Sequence, residues 1–218
     1  MTALSSIGIH TVFLNPPPCP TKNFPRRITF VLVLTVYLLL KKLCIDGDRM
    51  IFIYNCYGGT HTSTLASEIH LKRLPTDRLP TREEILGAKY FNKLTYKDMG
   101  RLMFRGVDDE GNKVFTLGRG MSKAILPCVE NLLKLMHDEC GVGEKFILSN
   151  LSPTVPPAMT MGGFLSRGLG IHFLGVPLLV TGARQAYGRI SSIVIRTREK
   201  AKSFDGSVLV MNNKDKQI

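Results

Sequence analysis

The chain has 218 residues, of which 44% are hydrophobic, so it can bury a sizeable core and cannot be disordered as a whole. Its formal net charge of +12 favours an anionic partner. However, the sequence contains no Lys/Arg run longer than two residues. It also lacks the basic stripe with interleaved aromatics that is typical of nucleic-acid-binding modules. Nucleic acid is therefore not the favoured partner.

Cysteine usage bears on the compartment and on metal binding. The five cysteines are widely separated and never form a C-x-x-C pair: Cys19, Cys44, Cys56, Cys128 and Cys140. Such spacing predicts neither a disulfide framework nor a zinc site. We expect a cytoplasmic protein without a metal centre, and no pattern identifies a cofactor.

The first 49 residues form an extension with three interpretations. Its uncharged apolar run spans only residues 28–40, shorter than the roughly 20 residues that cross a bilayer. Membrane contact is therefore expected only if residues 28–45 are an expressed hydrophobic segment. A signal peptide would need a small-residue cleavage site, which the sequence lacks before Asp46. In the third interpretation, residues 1–49 are translated upstream DNA and Met50 is the true start.

Residues 50–202 predict a single domain that begins with a strand and a helix. Ile51–Asn55 is a short apolar run ending in glycines, which indicates a buried strand. A helix is expected from Thr62 to about Leu74, where Pro75 follows. Thr81 and Glu84 form a capping box that predicts a second, short helix.

The middle of the domain predicts a β-hairpin and a longer helix. Residues 101–119 contain two apolar runs around an acidic turn, as in a hairpin. Ser122 is a candidate cap for a helix that runs to about Cys140. Because Pro127 lies too deep for a first-turn proline, the helix is also open to a later start.

The last part of the domain predicts strands that alternate with helices. The expected elements are a strand over Lys145–Asn150, a helix over Pro156–Arg167, short strands over Ile171–Leu174 and Pro177–Thr181, and a helix over Ala183–Lys202. Residues 203–218 predict a flexible tail. Together the elements indicate an α/β fold of three layers: a mostly parallel sheet with helices on both faces, an inserted hairpin and a P-loop-like first strand-loop-helix.

Three predicted loops follow strands and carry polar residues, namely residues 56–63, 150–152 and 181–185. Because ligands of open α/β sheets bind at the carboxyl ends of the strands, we expect these loops to share one edge. The first loop places Gly58, Gly59, Thr60, Thr62 and Ser63 at a helix N-terminus, where free N–H groups favour phosphate.

Two known phosphate loops are similar to this one, and each differs at its cation. A P-loop has the pattern G-x-x-x-x-G-K-[ST], whose lysine is absent here. Phosphotyrosine-type phosphatases carry Cys-x5-Arg-[ST], which can be counted from Cys56, but Thr62 stands where the arginine would be. Arg184 is expected to supply the missing charge, with Asn150 as an auxiliary contact.

Each of these residues also has a structural interpretation. The glycines could simply allow close packing of strand and helix. His61 is a candidate general base or hydrogen-bond donor, or a capped, solvent-facing histidine, and Cys56 is a candidate nucleophile or a small buried side chain. Residues 162–167, with the sequence GGFLSR, could form a ligand-facing loop, although close helix packing would equally explain their glycines.

Four segments in this order resemble a small family from Firmicutes that carries only a domain-of-unknown-function label: Ile53–Ser63, Leu74–Thr81, Gly162–Arg167 and Gly175–Leu179. The resemblance covers about residues 50–200 and implies no established activity, substrate or catalytic residue. Members begin near the position of Met50, so the resemblance favours the false-start interpretation of the extension.

The sequence therefore predicts a protein that binds a phosphorylated small molecule or nucleotide through its first glycine-rich loop. Phosphoryl transfer or hydrolysis is left open, because no metal-holding carboxylate can be assigned. The alternative is a non-catalytic interaction protein in which the glycine loop is structural.

Overall fold

The computed structural model describes residues 49–140 and 142–214 and shows a five-stranded sheet. The strands are β1 (Met50–Cys56), β2 (Leu102–Val107), β3 (Lys113–Gly118), β4 (Lys145–Asn150) and β5 (Val208–Met211). Their order across the sheet is β2-β3-β1-β4-β5. Only β2 and β3 pair antiparallel in the described residues, whereas β1 with β3, β1 with β4 and β4 with β5 are parallel. The predicted α/β fold with a mostly parallel sheet is confirmed.

Five α-helices accompany the sheet in the described part of the chain: α1 (Thr62–His70), α2 (Arg82–Gly87), α3 (Ile125–Cys140), α4 (Pro157–Gly163) and α5 (His172–Lys202). A π-helical turn, Phe164–Gly168, continues α4. Among these described elements, no helix has the length and apolar character needed to cross a membrane. The extension before residue 49 lies outside the described residues, so its three interpretations stay predictions.

Side chains that alternate along β1 divide the core between the two faces of the sheet. Phe52 and Tyr54 belong to one buried cluster with Leu65 of α1 and Ile190 of α5. Ile53 is equally buried but outside that cluster, so it faces the opposite side of the sheet. Helix α3 buries its own apolar side chains Leu133 and Met136 outside the same cluster. The burial pattern therefore corresponds to a sheet between two helical layers.

The hairpin of β2 and β3 belongs to the main sheet, since β3 pairs directly with β1. A buried chain of hydrogen bonds ties its turn to the core. The Tyr54 hydroxyl lies 2.7 Å from His70 Nδ1, and His70 Nε2 lies 3.0 Å from Asp108 Oδ2. Burial lowers the pKa of His70, which fits a neutral ring that accepts from Tyr54 and donates to Asp108.

Most helix predictions agree with the structure. The capping box of Thr81 and Glu84 begins α2, as expected. Helix α3 starts at Ile125, so the later start that Pro127 suggested is confirmed. Helix α1 ends at His70, earlier than expected, and the chain leaves it through Lys72 in a left-handed conformation (φ 55°).

The two short strands predicted over residues 171–181 are wrong, because this stretch is the first third of α5. Glycines on both helices let α5 and α4 approach each other closely. A Cβ on Gly182 would lie 2.6 Å from Met159 N, and one on Gly162 would lie 2.7 Å from Leu179 N. Pro177 is tolerated inside the helix on its exposed side.

The prediction of a flexible tail after residue 202 is also wrong within the described residues. Val208–Met211 forms β5, which extends the sheet beside β4. Asn213 follows in a left-handed conformation and donates from Nδ2 to Ser149 Oγ (3.0 Å) and to the Asn150 carbonyl (3.1 Å). The chain end is therefore part of the fold up to this point.

Candidate functional site

A cavity of about 290 Å³ opens at the carboxyl end of β1, where the chain turns into α1. Three parts of the chain line it. The first is the glycine-rich loop, through Cys56, Tyr57, Gly58, Thr60, His61 and Thr62. The second contributes Thr95, Tyr96 and Met99, and the third runs from Val155 to the π-helical turn, through Val155, Met159, Thr160, Gly163, Phe164 and Arg167. The location is the one expected for a ligand in an open α/β sheet.

The N-terminus of α1 faces this cavity with unsatisfied donors. His61 is the N-cap residue, but its side chain makes no capping hydrogen bond, and the first turn contains no acidic residue. The first N–H groups of a helix have no intrahelical acceptor. Thr62 lines the cavity, is fully buried, and its hydroxyl has no hydrogen-bond partner among the described residues. These donors and the helix dipole favour an anion.

The two glycines of the loop have different roles. Gly59 has a positive φ of 68°, and a Cβ there would lie 2.7 Å from the backbone nitrogen of Gly118. Close packing of this loop against the end of β3 therefore requires glycine at position 59. Gly58 lines the cavity, and its added Cβ would meet nothing closer than Thr60 Cγ2 at 3.6 Å. The structural interpretation therefore accounts for Gly59 and leaves Gly58 available to a ligand.

Thr60, expected as a ligand contact, is an anchor for another loop. Its hydroxyl donates to the Tyr90 carbonyl (2.7 Å) and accepts from the backbone N–H groups of Lys93 and Leu94. Tyr90 and Asn92 both have positive φ values, 70° and 54°. Such strained conformations persist only where surrounding contacts fix them, and they cluster at functional sites.

His61 is half-buried between this strained loop and α4. Its Nε2 lies 3.3 Å from Asn92 Oδ1, and its ring meets Phe91 edge-on at 5.4 Å between centroids. Asn92 Nδ2 donates to Ser166 Oγ at 2.8 Å, an amide orientation that makes Oδ1 the acceptor for His61 Nε2–H. Burial lowers the pKa of His61 to about 4, so the ring is neutral at pH 7 with Nδ1 unprotonated.

Cys56 lies at the base of the loop as a free, buried thiol. Its Sγ accepts a hydrogen bond from Gly59 N–H at 3.2 Å and lies 3.1 Å from Ser63 Oγ. Ser63 does not line the cavity; its hydroxyl is engaged with the sulfur. The thiol is therefore held at the base of the loop by Gly59 and Ser63.

Arg167 is the cationic residue of the cavity, and the sequence analysis did not single it out as the charge that the loop lacks. The π-helical turn carries it; such turns are frequent at functional sites. Its Nη1 is buried and has no hydrogen-bond partner in the described part of the chain. Burial lowers the pKa of Arg167, and Tyr96 and Asp98 oppose that shift. The guanidinium stays charged, with a donor unused.

The two auxiliary residues predicted from the sequence lie elsewhere. Arg184 is exposed on α5, within what was expected to be a loop, and does not line the cavity. Asn150 ends β4 at the expected edge, but its Oδ1 accepts from Ser152 N at 3.0 Å and it does not line the cavity either. The signal for Arg167 was present in the GGFLSR segment, which does contribute Gly163, Phe164 and Arg167.

A family model matches residues 51–199 of the chain, under the description "Protein of unknown function (DUF3189)". The match covers more than half of the sequence. The chain belongs to this family. The resemblance to a domain-of-unknown-function family is thus confirmed, and every residue that lines the cavity lies within the matched region. Searches of curated proteins and of solved structures gave no significant match.

The donor set of the cavity is suited to an anion rather than to a cation. Within residues 49–140 and 142–214, no group of three or more His, Cys, Asp or Glu residues could hold a metal ion. None of the described lining residues carries a carboxylate. An anionic group in the cavity would thus meet Arg167 and the N–H groups of α1, and Asp98, the carboxylate that interacts with Arg167, is not among the lining residues.

Proposed function

We propose that this protein binds a phosphorylated small molecule or nucleotide through Gly58–Ser63, with Arg167 as the cation of the site. The proposal rests on one observation: two donors without hydrogen-bond partners among the described residues line the same cavity. The buried hydroxyl of Thr62 lies at the uncapped start of α1, and the buried Nη1 of Arg167 comes from the π-helical turn. A buried donor without a partner costs roughly 1–3 kcal/mol, a cost that a phosphate oxygen would remove.

In this proposal Arg167, and not Arg184, supplies the positive charge that the loop itself lacks. A P-loop carries a lysine, and the phosphotyrosine-type phosphatase loop carries an arginine. The loop of this protein has neither cation, and Thr62 stands where the phosphatase arginine would be. A guanidinium that reaches the loop from another segment supplies the same charge-assisted hydrogen bonds. The loop donors then fix the position of the phosphate, and the arginine neutralises it.

The proposal is confined to binding. In a phosphatase built on this loop, the Cys56 thiolate would attack phosphorus, forming an S–P bond as the ester O–P bond breaks. The departing oxygen would then need a proton. Among the described lining residues there is no carboxylic acid, and His61 is neutral with its N–H proton directed to Asn92. The described lining residues thus include a candidate nucleophile and candidate donors for an anion, but no carboxylic acid to protonate the departing oxygen.

The test is phosphate binding by the full chain and by two matched arginine variants. Isothermal titration with inorganic phosphate should show that Arg167→Gln weakens binding at least about tenfold, since hydrogen bonds to charged groups are worth about 1.5–3 kcal/mol. Arg184→Gln removes the same charge from an exposed position outside the cavity and should leave affinity unchanged. Equal affinities of wild type and Arg167→Gln would contradict the proposal and favour a purely structural glycine loop.

A further inference from the structure

Three aromatic side chains stand exposed around the mouth of this one cavity. Tyr57, Tyr96 and Phe164 are 46%, 68% and 58% exposed, and all three line the cavity. They come from separate segments: the loop after β1, a 3-10 turn at Tyr96–Asp98, and the π-helical turn. Single exposed apolar residues are ordinary, but a cluster around a concave site marks a binding surface.

Two of these rings are held by their own local structure. The turn under Tyr96 is closed by a capping box, in which Asp98 Oδ2 accepts from Thr95 N (2.7 Å) and from Thr95 Oγ1 (2.9 Å). The ring of Phe164 lies over Gly168, where an added Cβ would be 3.2 Å from Cδ2. Rings on fixed backbone lose little conformational entropy when a ligand stacks against them.

The lining residues and the volume of the cavity favour a small apolar group. Met99 and Met159 also line the cavity, and flexible thioethers adapt to the faces and edges of aromatic rings. A volume of about 290 Å³ is just below the roughly 300–1,000 Å³ typical of ligand pockets. One phosphate with one ring system fits this volume, and a dinucleotide does not.

We infer that the ligand is a phosphate ester that carries a planar aromatic ring, with its phosphate at Gly58–Ser63 and Arg167 and its ring between Tyr96 and Phe164. The inference rests on the proposed phosphate site and adds the class of ligand. Aryl phosphates and nucleoside monophosphates share this chemistry. A sugar phosphate or other aliphatic phosphate does not.

The experiment compares ligands that differ only in aromaticity, using the full chain. Phenyl phosphate and cyclohexyl phosphate have the same charge and nearly the same size, and methyl phosphate reports the phosphate site alone. Phenyl phosphate should bind about two- to tenfold more tightly than cyclohexyl phosphate, the range contributed by an aromatic pair. Adenosine 5′-monophosphate is then compared with phenyl phosphate. Tighter binding of the nucleotide would identify a nucleotide as the source of the ring, and weaker binding would identify an aryl phosphate.

Two variants test whether the aromatic residues at the mouth of the cavity cause the preference for phenyl phosphate. Phe164→Leu should remove most of the preference for phenyl over cyclohexyl phosphate while leaving methyl phosphate binding unchanged. Phe173→Leu is the matched control, since Phe173 is 77% exposed and does not line the cavity. Equal binding of phenyl and cyclohexyl phosphate, with methyl phosphate still bound, would overturn this inference alone. Binding of none of the three would overturn the proposed phosphate site as well.

Discussion

His61 shows how a single side chain can be identified from sequence while its chemistry is set by the fold. Its place in the glycine-rich loop was visible, and the structure confirms that it lines the cavity. Its neutral state could not be inferred, because it results from burial beside neighbours such as Phe91 and Gly163, which outweighs the hydrogen bond to Asn92 that raises the pKa. These partners come from segments whose positions depend on tertiary packing.

The depressed pKa of His61 predicts a pH dependence of stability. In the unfolded chain His61 takes up a proton near pH 6.5, whereas in the folded protein burial delays protonation to about pH 4. The unfolded state therefore binds more protons between these values, and His61 lowers the free energy of unfolding as pH falls through this window. Above pH 6.5 the effect vanishes.

His61→Asn removes this titration, so the variant should become more stable relative to the wild type as the pH is lowered. Between pH 7.5 and 5 we expect the difference in unfolding free energy to move in favour of the variant by roughly 1–2 kcal/mol, allowing for solvent at a half-buried ring. Urea denaturation at both pH values measures it. His70, whose pKa is also lowered, is present in both proteins, so its contribution cancels in the difference between them. A pH-independent difference between the two proteins would contradict the expected shift.

Arg167 is the opposite case, a residue that sequence reasoning underused. The GGFLSR segment was one candidate for a ligand-facing loop, with helix packing as the alternative, but nothing in the local pattern shows that its arginine reaches the loop before α1. Its position depends on how α4 packs against α5. Arg184 was expected to supply the charge that the loop lacks because residues 181–185 were predicted to be a loop, whereas the structure places it exposed on α5.

At the scale of elements, strands and capped helices were predictable because their signals are local. The apolar run of β4 and the capping box of α2 specify their own conformation. The sequence predicted two short strands where α5 begins and a helix only from Ala183, and Gly175, Pro177 and Gly182 in this stretch are residues that commonly interrupt helices. The buried positions of α5 nevertheless recur at helical spacing: Gly175, Leu179, Val180, Gly182, Ala183, Ala186, Tyr187, Ile190, Ile193, Val194 and Thr197. The short strand β5 has no such period and depends on pairing with β4.

Two glycines of α5 provide a matched test of the α4–α5 contact. A Cβ at Gly182 would lie 2.6 Å from Met159 N, so Gly182→Ala should force the helices apart and destabilise the protein by about 1–3 kcal/mol. Gly188 has no atom within 4 Å of an added Cβ. Gly188→Ala should stabilise the same helix by about 0.5–1 kcal/mol. Chemical denaturation measures both, and changes of the same sign would mean that α5 does not pack on α4 as described.

At the scale of the whole molecule, a net charge of +12 attracts phosphate without any specific site. Residues separated along the chain, in the loop after β1, the segment around Tyr96 and the π-helical turn, meet only in the folded domain. Membership of a family described as a protein of unknown function assigns no ligand to that meeting point. The central claim is therefore one of location: phosphate binds at this cavity and not across the basic surface.

The most direct measurement is a phosphate titration of the isotopically labelled full chain, followed by backbone amide NMR at about 0.15 M salt, where exposed charges are largely screened. We predict saturable shifts centred on the amides of Gly58, Gly59, Thr62 and Ser63, with a second group in residues 164–168 across the cavity. Shifts that do not saturate and are scattered over lysine and arginine positions elsewhere, with these amides unmoved, would contradict the phosphate site.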